Sequence, residues 1–226
     1  RRFKNPFLPA IAILVVLLHP IQLYFFTGDF IKNEATIPAV FFIALLLVNL
    51  EHQSKKLSVI YLIILFVITA LSHFGTALLA FILIVLWGLL QMRRSGRKFW
   101  LKGLALSCVA FVGLLTSLAV IVPNRYERLV EFLTTPSAAF VRPVIDGIIH
   151  GYANSIITFT IITSQIAVVV LAIISWRSRS NFSFSDMSLV ISSLIATFVL
   201  SSPFISMEWA DRLTGLSFVP LSIAAI

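Results

Sequence analysis

Charge is what this chain has least of. Only 12% of its 226 residues are charged while 59% are hydrophobic, and the mean hydropathy is +1.04. A water-soluble domain carries about 25% charged and about 45–50% apolar residues, so an ordinary soluble globule is excluded. There is one cysteine, Cys108, which rules out a disulfide within the chain and a cysteine metal cluster. The four histidines, His19, His52, His73 and His150, show no metal-ligand spacing. Glycine and proline, nine of each, are scattered, so there is no low-complexity linker and no repeat of fixed period.

What is present is a succession of apolar runs. Eight can be marked, at 7–26, 37–50, 57–72, 74–92, 101–122, 152–175, 187–205 and 213–226. A helix of roughly 20 apolar residues crosses a hydrocarbon core about 30 Å thick. Strands would have to alternate, and the run from Ile11 to Leu18 does not. In lipid every backbone polar group must be satisfied internally, which leaves helices. The expected fold is an all-α, polytopic bundle of about eight spans, forming one transmembrane domain in the cell membrane. The chain opens at Arg1 without methionine and stops at Ile226 inside an apolar run, so it reads as a piece of a longer protein. Arg1, Arg2 and Lys4 before an apolar run imitate a signal peptide, but no small-residue cleavage site follows Phe26.

Charge decides the threading. The 37–50 run spans only ~21 Å as helix, and 57–92 is either two helices hinged near Ser72–Thr76 or one overlong helix. With the N-terminus inside and eight spans, twelve of the 17 basic residues are cytoplasmic, among them the cluster Arg93, Arg94, Arg97 and Lys98. Lys32, Arg125, Arg128, Arg142 and Arg212 fall outside, with all the acids except Glu51 and Asp186. Dropping either doubtful span exports the Arg93–Lys98 cluster, against the positive-inside rule. The basic balance therefore reports topology and an anionic inner leaflet, not nucleic acid. Four outer segments follow: 27–36, 72–76, 123–151 and 206–212.

The candidate chemistry lies on that outer side. In Ser72-His73-Phe74-Gly75-Thr76, Gly75 permits a tight turn, and a helix starting near Thr76 offers N–H groups to an anion. His73 is a candidate phosphate ligand, acid or base; the plainer reading is a capped turn with a hydrogen-bonded histidine. In Ser206–Arg212, Glu208 and Asp211 share a face if the segment is helical, and Arg212 carries a fork suited to phosphate. One carboxylate would deprotonate a sugar hydroxyl while Arg212 holds the phosphate; a solvated turn anchored by Trp209 is the alternative. Around residues 124–133, Tyr126, Leu129, Val130 and Leu133 recur at helical spacing, which predicts a surface helix with Glu127 and Glu131 wet. Arg125, Arg128 and Arg142 there would steer an anionic head group, or simply face water. Asp29 reads as a loop aspartate, a base or a metal ligand, and His19-Pro20 as a kink. The polar positions Asn154, Thr158, Thr160, Thr163, Ser164 and Gln165 predict hydrogen bonding between helices, although a polar pathway has the same composition.

A histidine turn between outer-facing spans, followed much later by an outer acid–arginine pair in Asp211-Arg212-Leu213-Thr214-Gly215, resembles polytopic prokaryotic, especially archaeal, cell-surface glycan proteins. These are the GT-C-type glycosyltransferases and oligosaccharide-repeat polymerases, and the resemblance covers residues 57–92 and 187–226. It implies a membrane glycosyltransferase or polymerase whose substrates are sugars on a polyprenyl phosphate or diphosphate, handled at the outer face. It would carry over His73, Asp211 and Arg212 as functional residues. The family's acidic motif in the first outer loop has only Asp29 as a counterpart here. Adding Glu208 to the carboxylates and Arg125 and Arg128 to the phosphate ligands completes the candidate set; a divalent metal is left open. A transporter or flippase instead needs a polar path through the midplane and helices broken halfway, and a non-catalytic membrane subunit needs neither.

The threading predicts that single cysteines at Ser95 and Ser178 are shielded from impermeant thiol reagents in intact cells, while cysteines at Asn33 and Ser137 are labelled. Labelling at Ser95 overturns the threading.

Overall fold

The computed structural model describes residues 31–50, 55–95, 144–151, 153–205 and 207–225, with isolated positions between 112 and 130. All secondary structure among the described residues is helical: α1 Ile31–Asn49, α2 Lys55–Ser72, α3 Phe74–Ser95, α4 Val144–Ile149, α5 Ser155–Arg177, α6 Phe184–Leu200, α7 Met207–Leu216 and α8 Phe218–Ala225, with a 3₁₀ turn at Arg179–Asn181. Among the described residues only α5, with 23 residues, is long and apolar enough by length and composition to cross a membrane alone; 36–49, 57–70, 75–91, 184–200 and 213–225 are shorter apolar helical stretches. The expected first span, 7–26, lies outside the described residues, as does most of 101–122.

Local chemistry sets the boundaries. The apolar run expected at 37–50 becomes a 19-residue helix because it starts six residues earlier and carries Pro38 inside. Asn154 caps α5, its side chain accepting from Ile156 N. Ser183 and Asp186 form a reciprocal capping box, so α6 starts at Phe184, three residues before the apolar run proper. Arg179 stacks on the Trp176 ring, 5.0 Å from its centroid, at the connection between α5 and α6. The run expected at 213–226 is divided. Pro220 has no N–H to give the Leu216 carbonyl and its ring crowds that group, so the chain turns at Ser217, whose N–H bonds Thr214 O at 3.1 Å. The expected outer segment 206–212 is likewise helical from Met207, and the outer loop 123–151 contains α4.

α6 is the centre of the bundle, packed against α1, α3, α5 and α8, while α1, α2 and α3 form a mutually packed trio. Its inward positions are small: Ser185, Ser188, Ser192, Ser193, Ala196, Thr197 and Ser201 are all buried. Small side chains let helix backbones approach closely, and their hydroxyls bond the preceding turn, as Ser192 does to Ser188 O at 2.7 Å and Thr197 to Ser193 O at 2.8 Å. The larger core, Val40, Ile43, Leu47, Leu79, Leu83, Trp87, Leu189, Leu200, Phe218 and Val219, surrounds that seam. Outward faces are apolar: Ile60, Ile63, Ile64, Val67 and Ile68 on α2, and Phe159, Ile162, Ile166, Val169, Val170, Ile173 and Ile174 on α5, are exposed.

Two tiers result. Gln165 Nε2, near the middle of α5, donates to Phe198 O, Ser201 O and Ser201 Oγ at 3.2, 3.0 and 2.9 Å, at the very end of α6. Ser164 Oγ lies 3.4 Å from Ser217 Oγ. Everything in α5 before Ser164 therefore projects about 14 Å past the end of α6, at ~1.5 Å per residue. Around that projection sit α4 and α7, through an apolar cluster of Val144, Ile157, Ile161 and Ala210.

The interhelical bonding expected of the polar 152–175 segment is thus present at Ser164 and Gln165. Gln165→Leu strands carbonyls at the end of α6 and should lower stability by about 1–3 kcal/mol. Thr163→Val removes only bonds within α5, to Phe159 O and Thr160 O, and should stay within about 0.5 kcal/mol of the native protein. Thermal unfolding of the two variants checks both values.

Candidate functional site

Helices α2 and α3 are separated by a single residue, His73. His73 N–H still bonds Thr69 O at 2.8 Å, and its carbonyl already accepts from Ala77 N at 3.2 Å. A continuous helix would give the Thr76 N–H to Ser72 O. Instead it goes to His73 Nδ1 at 3.2 Å, so the imidazole does for α3 what a serine or aspartate does at an ordinary N-cap. The Thr76 hydroxyl bonds His73 O at 2.9 Å and Thr36 Oγ1 at 2.8 Å, tying the turn to α1. An acceptor at Nδ1 must carry its lone pair, so the neutral ring is the Nε2–H tautomer. The capped-turn reading of this stretch is the one the geometry displays, with His73 itself as the cap. One of the N–H groups expected to meet an anion is taken by that ring.

Gly75 makes the arrangement fit. A Cβ there would stand 2.8 Å from His73 Cε1 and 3.2 Å from Leu216 Cδ1. The ring lies on one side of the missing side chain and the last residue of α7 on the other. The turn between α2 and α3, the turn between α7 and α8 and the end of α6 are therefore at one level, with α7 rising from it into the upper tier.

Helix α7 carries three of the sequence candidates, Glu208, Asp211 and Arg212, whose backbone is described and whose side chains lie outside the described part. Because 207–216 is helical, Glu208 and Asp211 do occupy neighbouring turns of one face, as their spacing required. The register also divides the pair that the resemblance joins. Arg212 belongs to the row ending at Leu216, the contact beside Gly75, one turn or ~6 Å from it. Asp211 belongs to the row containing Thr214, which is 1% exposed and whose Oγ1 has no hydrogen-bond partner. Arg125, Arg128, Arg142 and Asp29 lie outside the described residues, as do Leu129, Glu131 and Leu133. Tyr126, Glu127 and Val130 are helical; Glu127 is exposed and the other two are partly buried, in the sense expected of a surface helix.

The upper tier also holds a pair to which the sequence reading gave no role. Asp146 lies in α4 and His150 directly after it; His150 Nδ1 is 3.1 Å from Asp146 Oδ1 and 2.8 Å from Asp146 O. The signal was legible as an acid and a histidine four residues apart, but only once 144–149 is known to be helical. Among the described residues no group of three or more histidine, cysteine, aspartate or glutamate side chains is arranged to hold a metal. Comparison of the chain with protein-family models, curated proteins and solved structures gives no match.

Gly75→Ala should behave differently in two backgrounds. Alanine in a helix is ordinarily favoured over glycine by about 1 kcal/mol. With His73 present the added methyl must displace the ring, so the substitution is expected to be neutral or destabilising. In a His73→Ala background it should stabilise, giving a coupling of about 1 kcal/mol or more by thermal unfolding. Equal effects in both backgrounds mean that the ring does not lie on Gly75.

Proposed function

We propose that the chain is a multi-pass protein of the cell membrane, threaded about eight times with its N-terminus inside. On this reading the upper tier is a site at the outer face for assembling a glycan from polyprenyl-phosphate-linked sugars. The membrane part is supported by the inverted polarity of the bundle: buried serines and threonines inside, exposed isoleucine, valine and phenylalanine outside. In water that distribution would leave large apolar patches uncovered; in lipid it satisfies polar groups and presents hydrocarbon to hydrocarbon.

The observation that carries the functional part is the contact of Leu216 with Gly75 beneath His73. It brings the helix bearing Glu208, Asp211 and Arg212 to the histidine turn, although more than 130 residues separate them in sequence. A lipid-linked donor needs a cation for its phosphate, a group to protonate or hydrogen-bond the departing oxygen, and lateral access from the bilayer. Arg212 supplies the first, and His73, with its proton on Nε2, the second.

Arg212→Ala and Arg212→Lys should both abolish glycan assembly while the protein accumulates normally, because lysine does not reproduce the two-pronged hold on phosphate. The check is the size distribution of the cell-surface glycan in cells whose only copy is the variant. Normal glycan with Arg212→Ala removes arginine from the site, and normal glycan after deletion of the whole protein removes the reading itself.

A further inference from the structure

We infer that the connection between α5 and α6 binds the head group of an anionic phospholipid through the stacked pair Trp176–Arg179 and through Arg177; this assignment rests on the membrane reading above and is independent of the glycan chemistry. The register of α5 leads to it. Phe159, Ile162, Ile166, Val169 and Ile173 are all exposed, and alternate steps of three and four residues place them on one side of the helix. The next step of three is Trp176, at 71% the most exposed residue of that stripe. From Ile156, where the exposed apolar positions of α5 begin, to Trp176 the helix rises about 30 Å, the depth of a hydrocarbon core. Asn154 caps one end of that length, and Arg177 and Arg179, both exposed, stand at the other. An indole that ends an apolar stripe sits at the level of the lipid head groups.

The backbone then brings charge to the same level. Ser178 ends the helix, its N–H bonding Ile174 O at 2.9 Å, and Arg179 opens the 3₁₀ turn. That turn carries the guanidinium back over the Trp176 ring, 5.0 Å from its centroid. The ring attracts the cation through its quadrupole and leaves the guanidinium's planar fork of N–H groups open to an anion. A side chain already held in place has less freedom to lose when the anion arrives. Among the described residues neither Arg177 nor Arg179 is paired with a carboxylate. The nearest acid in sequence, Asp186, serves the capping box of α6. The C-terminus of α5 bears about half a negative charge, which two guanidinium groups outweigh.

A lipid phosphate fits this arrangement better than a soluble one. Its head group meets Arg177 and Arg179 while its acyl chains lie along Ile173, Val169 and Ile166, so one molecule accounts for both the cations and the stripe that leads to them. A free phosphate would use the arginines and leave the stripe without a role. On the threading above, this connection faces the inner leaflet, whose surface is negative because anionic lipids collect there.

The test uses the full chain in a neutral detergent, titrated with phosphatidylglycerol or phosphatidylcholine, with the first bound lipid followed by native mass spectrometry. The wild type should bind phosphatidylglycerol the more tightly. Arg179→Gln should weaken that binding about fivefold, the factor expected of one basic side chain at a membrane surface, and leave phosphatidylcholine binding unchanged. Arg179→Lys should lose nearly as much, since lysine offers neither the planar stack nor the fork. Trp176→Leu keeps the charge and the apolar bulk and should lose part. These positions are exposed, so the variants are expected to fold. Full affinity in Arg179→Lys would reduce the site to general surface charge and overturn the assignment. So would unchanged affinity in Arg179→Gln, or a wild type without preference. Glycerol phosphate that competes at concentrations equal to the lipid's would show that the acyl chains add nothing, and the ligand would not be a lipid. Extraction of cell membranes with alkaline carbonate tests the underlying reading separately. Release of the protein ends the membrane reading and this inference together, whereas retention with no effect of Arg179→Gln ends the inference alone.

Discussion

The amide of Gln165, set against carbonyls at the end of α6, is the fixed point on which the architecture turns. It registers the middle of one helix to the end of another, and unequal helices registered in this way cannot finish together. The first half of α5 must stand clear of the bundle, and an isolated apolar helix in that position needs company. Val144, Ile148 and Ala153 from around α4 and Ala210 from α7 supply it. The upper tier, with every candidate functional residue that is described in it or at its base, follows from one side chain reaching across to a neighbour.

Below that level the bundle solves a different problem. Its central helix, α6, is studded with hydroxyls, and four of them cost little because they turn back on their own backbone: Ser188 on Phe184 O, Ser192 on Ser188 O, Thr197 on Ser193 O and Ser201 on Thr197 O; Ser185 instead donates to Leu47 O of α1 at 3.4 Å, and the buried Ser193 Oγ has no hydrogen-bond partner. A hydroxyl satisfied within its own helix behaves toward neighbours as a small, nearly apolar surface. Four helices can therefore crowd around α6 without hydrogen bonds to each of them. Trp87, which donates to Ser185 O at 3.3 Å, is the large side chain that closes the lower end.

Much of the helical content was legible because long apolar runs admit no other backbone in lipid. The position of the α2–α3 turn was legible too, from a polar residue cluster with glycine inside an overlong run. The cap was not, since histidine is an uncommon N-cap and only coordinates reveal which nitrogen faces Thr76. Residues 206–212, which α7 covers from Met207, were read as an outer segment because Ser206, Glu208, Asp211 and Arg212 are polar or charged, and periodicity over so short a stretch is weak against that. The division at Ser217 has its cause in Pro220, three residues downstream, where a sequence reading looking for the break at a glycine would choose Gly215. The Asp146–His150 pair escaped because its spacing means something only on a helix, and six residues inside a polar loop give no periodic signal of one. Of the resemblance to cell-surface glycan enzymes, the residues it named are those of the turn and of α7, and the register of α7 separates Asp211 from Arg212 in a way that a motif written in one line conceals.

The proline that interrupts the last helix has a consequence for how such a protein can change over generations. With no backbone bond possible from Pro220 to Leu216, α7 does not inherit its direction from α8. Its pose is set by three local anchors, Leu216 on Gly75, Ser217 beside Ser164, and Ala210 in the apolar cluster. Substitutions that repack the lower bundle need not disturb the upper tier, and the upper tier can be rebuilt while its foundation stays the same. The joint makes the two halves separable units of variation.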